Sequence, residues 1–219
     1  MRHFRGRIVL LGAVLFILLV PGKGWSIAGQ GVGVRVGYVF NYHDPSLRHA
    51  WGGTNLVPRN LSMVGGHIVI PAISKVSMEA AVEHVSRDYE RKIILGDPGD
   101  PGALVWDVPF TVADDALYLT GRYKLIARKV GLHVGGGLNF QHYTYDAGIG
   151  PILMDYLMGR LKLPKDEWHS GFHILAGVSF GIPSVQFRFF NEVRFTNITM
   201  SGKASQQGTV LAGVTFGAF

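Results

Sequence analysis

The chain has no cysteine, so it can form no disulfide, no thiolate nucleophile and no thiolate metal site. Charge is also scarce: Asp, Glu, Lys and Arg make up 16% of residues, against about 25% in ordinary soluble domains, while hydrophobic residues reach 47%. A composition this apolar usually signals helical membrane spans. Beyond residue 28, however, no apolar run approaches the roughly 20 residues that such a helix needs. The hydrophobicity must be spread another way, and alternation along strands is the obvious candidate. Glycine is plentiful, with 30 residues, and aromatics are 11%. Short strands, glycine-rich turns and aromatic bands together predict an all-β fold.

The N-terminus follows different rules. Arg2, Arg5 and Arg7 precede an apolar stretch from Ile8 to Val20, Pro21-Gly22 breaks any helix, and Ser26-Ile27-Ala28 supplies small residues. A charged, then apolar, then small-residue order is that of a secretory signal. The sequence therefore divides into a signal peptide, residues 1–28, and one folded domain, residues 29–219, with an uncleaved anchor as the alternative. The formal net charge of +6 includes four leader cations, Arg2, Arg5, Arg7 and Lys23, so the remainder carries about +2. No basic stripe is visible, and no nucleic-acid partner is expected.

After Gly29, apolar and polar residues alternate over segments of about ten residues, the pattern of a strand with one greasy face. Val32, Val34, Val36, Tyr38, Phe40 and Tyr42 oppose Gly33, Arg35, Gly37, Val39 and Asn41. Val64, Ile68 and Ile70 oppose Gly65, His67 and Val69; Val76, Met78, Ala80 and Val82 oppose Ser77, Glu79, Ala81 and Glu83. The fourth segment sets Leu117, Leu119, Tyr123 and Leu125 against Tyr118, Thr120, Arg122 and Lys124. Its start is open: a bulge at Asp114-Asp115 would join it to the extended run Val105 to Phe110. The fifth alternates from Val130 to Tyr145, the sixth from Phe172 to Ile182, and the eighth covers Gly208–Phe219. The seventh sets Val185, Phe187, Phe189, Val193 and Phe195 against Gln186, Arg188, Phe190, Glu192 and Arg194.

Eight is an even count, and turns near residues 74, 128 and 183 are tight. The other connections, about 43–62, 88–104, 146–168 and 199–207, read as long loops. Short turns at one end and long loops at the other predict an eight-stranded antiparallel up-and-down transmembrane β-barrel. Its inward faces would gather Arg35, Glu79, Glu83, Arg122, Lys124, Arg188, Glu192 and Arg194. Both signs are present, so the expectation is a paired network that fills a lumen only wide enough for side chains.

Three stretches carry a family resemblance: Gly31 to Tyr42, Val130 to Phe140 (VGLHVGGGLNF), and Ala176 to Pro183 running into the seventh strand. They resemble the small outer-membrane β-barrel superfamily that includes the OmpA-like transmembrane domain. The resemblance implies residence in the outer membrane of a Gram-negative bacterium, contact with outer-membrane lipid and lipopolysaccharide, and insertion by the barrel assembly machinery. Phe219 is similar to the terminal aromatic residue that this machinery reads, although the alternate residues before it are Gly217, Thr215 and Gly213.

Catalytic signals are thin. His84-Val85-Ser86 puts a general base and a hydroxyl on one strand face, loosely resembling the arrangement in outer-membrane lipid A deacylases. Arg87 stands where that family has asparagine, and the sequence assigns no partner acid, Asp88 and Glu90 being merely near. His67, His133 and His173 fall on inward faces without metal-ligand spacing, and no metal or other cofactor is expected. Ile152, Leu153, Tyr156, Leu157 and Leu161 have the spacing of a short surface helix. The primary expectation is a non-enzymatic integral barrel protein with a structural or surface-interaction role. A lipid-modifying enzyme and a narrow channel are the alternatives.

Overall fold

The computed structural model describes residues 31–40, 62–95, 104–126, 129–147, 166–182, 187–200 and 203–217. The leader, Asn41, Tyr42, the 152–161 stretch, Val185, Gln186 and Phe219 lie outside them. No described helix is long and apolar enough to cross a membrane. Eight strands form instead: β1 (Gly31–Phe40), β2 (Ser62–Ile73), β3 (Val76–Leu95), β4 (Leu104–Ile126), β5 (Val130–Ala147), β6 (Glu167–Ile182), β7 (Phe187–Met200) and β8 (Lys203–Gly217). Each pairs antiparallel with the next, and β1 pairs with β8, so the sheet closes into a barrel. Closure satisfies the ladder of every strand and leaves no edge along the shared wall.

Directly opposed residues can be followed once round that wall. A row leaving β6 at Val178 passes Asn191, Val36 and His84 and returns to β6 at Trp168, ten residues along the strand. With about 3.3 Å per residue and about 4.8 Å between strands, that stagger tilts the strands by about 40°.

The period-two pattern maps onto the two faces as the sequence predicts. Val34, Val36, Val64, Met78, Leu119, Val134, Ile174, Phe189 and Phe216 are exposed on the outer wall, whereas Arg35, Glu79, Glu83, His173, Glu192 and Arg194 are buried in the lumen. Along the middle of the described outer wall, Asn191 is the one polar exception.

Three sequence expectations need correction. The stretch 88–104 is not a loop: β3 and β4 stay paired from Asp88↔Thr111 out to Leu95↔Leu104, leaving only 96–103 as the connection. Its polar residues had suggested a loop, but backbone pairing continues past the point where apolar alternation fades. The connection at 199–207 is likewise reduced to 201–202, because β7 and β8 pair as far as Met200↔Lys203. The third concerns the bulge. Register is continuous through Asp114 and Asp115, so the run from Val105 joins β4 without one. The irregularities fall instead between Pro71 and Ile73 and between Lys124 and Ile126, close to the tight turns. Pro71 has no N–H to give the ladder, and strands tolerate proline at such a bulge.

Candidate functional site

Every strand sends side chains into the lumen, and six of the inward charges assemble into one cluster. Arg35 of β1 contacts Glu79 at 2.8 Å and Glu83 at 3.3 Å, both from β3. Arg122 of β4 bridges Glu79 at 2.6 Å and Glu192 of β7 at 2.7 Å. Arg194 grips Glu83 with both guanidinium ends, one contact at 2.7 Å and the other shorter still. Three arginines therefore meet three glutamates, all at most 9% exposed. Fork-to-carboxylate geometry of this kind is the strong form of an ion pair.

Histidines, hydroxyls, amides and a ring complete the shell. His133 Nε2 lies 2.8 Å from Glu192 Oε1, and His67 joins Arg35 at 3.4 Å to Thr215 at 2.8 Å. Thr120 meets His173 at 2.9 Å, and the Arg194 guanidinium stacks 3.7 Å above the Tyr118 ring. Toward the other end, Gln141 Nε2 donates to the Tyr118 hydroxyl, while Tyr143 and Gln207 donate to Gln141 Oε1. An apolar cluster of Val39, Met63, Val85, Phe190 and Leu211 fills further lumen volume.

Glycine makes room for this packing. A Cβ on Gly177 would lie 2.6 Å from Glu192 Cγ and 2.8 Å from His133 Nε2, so a side chain there would displace the ion-pair partners.

Of the eight charges expected inside, Arg35, Glu79, Glu83, Arg122, Glu192 and Arg194 form the network. Lys124 and Arg188 also face inward but sit apart, around a cavity of about 150 Å³ at the tight-turn end that Ser77, Ser179 and Thr215 also line. Two buried charges were missed, Arg87 at 1% and Asp114 at 3% exposure. Arg87 continues the spacing Glu79, Glu83, Arg87 and was legible by parity; Asp114 was hidden by the expected bulge.

The unbroken register also splits the two adjacent aspartates between faces. Asp114 points into the lumen, and Asp115 points outward to His84, which it opposes directly. His84 Nδ1 and Asp115 Oδ1 are 2.7 Å apart, both side chains roughly a quarter exposed. The carboxylate beside His84, which the sequence left unassigned, is thus Asp115, from the neighbouring strand. Among the described residues no cluster of His, Asp and Glu has the arrangement of a metal site.

No family model matches the chain, and no curated protein matches it. Solved structures do. The Neisserial surface protein A structure is 14% identical, covers 88% of this chain and 98% of its own, and superposes with a TM-score of 0.48. The N-terminal β-barrel domain of OprF from Pseudomonas aeruginosa is 12% identical, with coverages of 85% and 97% and a TM-score of 0.47. Ail, the attachment invasion locus protein of Yersinia pestis, is 10% identical, with coverages of 87% and 99% and a TM-score of 0.44.

Proposed function

We propose that this protein is an integral outer-membrane β-barrel with a structural or surface-interaction role, its lumen plugged by the charged network. The observation that carries the reading is the partition of side chains across one closed sheet. An apolar wall faces outward, while three Arg and three Glu are sealed within. In water the exposed valines, leucines and phenylalanines would form a patch far larger than soluble monomers tolerate. In lipid the same wall is matched to its solvent, and the network fills a space only side-chain wide. The barrel end at Ile73 and Val76, Ile126 and Val130, and Ile182 and Phe187 then faces the periplasm, and the opposite strand ends face outward.

A plugged lumen gives a direct test. Protein extracted from membranes should migrate differently on gels before and after boiling, and the unboiled form should add no discrete conductance steps to planar bilayers. Steps that persist in the purified, heat-shiftable form would replace the plug with a channel. Identical mobility with and without boiling would count against the membrane barrel itself.

A further inference from the structure

We propose that His84, Ser86 and Asp115 form a serine acyl-hydrolase site on the outer wall, acting on a carboxylic ester of a membrane lipid. This goes beyond a structural role and rests on the membrane reading for its substrate. Three independent features meet there. The first is the 2.7 Å contact between His84 Nδ1 and Asp115 Oδ1; a carboxylate there accepts from Nδ1–H, which makes Nε2 the nitrogen that would act as a base. The second is Ser86, two residues further along β3 and therefore on the same outward face. The third is a groove of about 580 Å³ that both His84 and Ser86 line, its floor and sides built from Val36, Tyr38, Val64 and Val210.

The groove's position suits an acyl ester. His84 lies eight residues above Val76 at the tight-turn end, which at about 3.3 Å per residue and a tilt near 40° is about 20 Å along the barrel axis. That is just inside the outer edge of an apolar band about 25 Å tall. Acyl chains would lie along the aliphatic groove, and the ester would reach Ser86 where water is close.

In the first half-reaction the Ser86 oxygen bonds to the ester carbonyl carbon while His84 takes the hydroxyl proton. The ester C–O bond then breaks, and the alcohol leaves with that proton. Water next attacks the acyl-serine and gives a proton to His84. The serine ester bond breaks, Ser86 recovers the proton, and the fatty acid departs. The balance is ester plus water to carboxylic acid plus alcohol, with no other reactant. Asp115 is a positioning residue: it orients His84.

The test uses the full chain, folded into vesicles of phospholipid with and without lipopolysaccharide, with lipids read by mass spectrometry. Gel mobility with and without boiling reports the barrel separately in each sample. Wild type should release fatty acid, with loss from lipopolysaccharide or from phospholipid naming the source of the ester. S86A and H84A should lose at least about 100-fold of that release while keeping the heat shift. D115N should lower the rate and move its pH profile, and a fluorophosphonate should label Ser86 in wild type alone. Heat-shiftable wild type that releases nothing from either lipid and takes no label would overturn the site, as would equal release by S86A. Absence of the heat shift would instead indict the membrane barrel.

Discussion

Glu83 is the residue whose removal the lumen should feel most, because it serves Arg35 and Arg194 at once and is 1% exposed. Glu83→Ala would leave two buried guanidinium groups short of a counter-charge, and breaking a buried pair from one side costs about 3–5 kcal/mol. Unfolding by urea from lipid vesicles should show that loss. A change below about 1 kcal/mol would mean that water already solvates the cluster. Parity alone placed all eight expected lumen charges inside, since each lies an even number of residues from an inward neighbour. It could not tell the central six from Lys124 and Arg188, because depth along the barrel depends on how strands register with one another. Nor could it find Asp115 as the partner of His84. That contact joins residues 31 apart and exists only through the β3–β4 pairing.

At the level of strands, the outer wall is the more demanding face, since a single charge there has nothing to pair with. Val178 is 48% exposed on β6, four residues from the strand end at Ile182, which is about 10 Å along the axis and near the middle of the apolar band. Val178→Arg should cost about 2–4 kcal/mol in bilayer unfolding. A charge placed toward the outer rim, as at Trp168→Arg, should cost about 0–1 kcal/mol. Equal costs at the two depths would contradict a lipid-facing wall. The lower halves of the strands were readable in the sequence because this solvent imposes strict alternation on them. The outer ends of β3 and β4 were not, since beyond the lipid a paired strand no longer needs a greasy face. There Asp88, Glu90, Arg91 and Lys92 read as loop although their backbones remain in the ladder.

Across the whole molecule, one closed sheet separates two chemistries that one strand carries side by side. The chain is free of cysteine, so single thiols can be introduced without background. The adjacent pairs Phe195 and Thr196, Phe180 and Ser179, and Leu119 and Thr120 each put one exposed apolar residue beside one buried polar residue. The most direct measurement is spin labelling of these six positions, one at a time, in the folded protein in vesicles, with collision rates read for lipid-soluble oxygen and for a water-soluble chelate. The prediction is that labels at 195, 180 and 119 collide with oxygen as lipid-facing sites do, while those at 196, 179 and 120 are shielded from it. Equal oxygen exposure within the pairs, or the reverse order, would contradict a barrel that meets lipid outside and keeps its charges within.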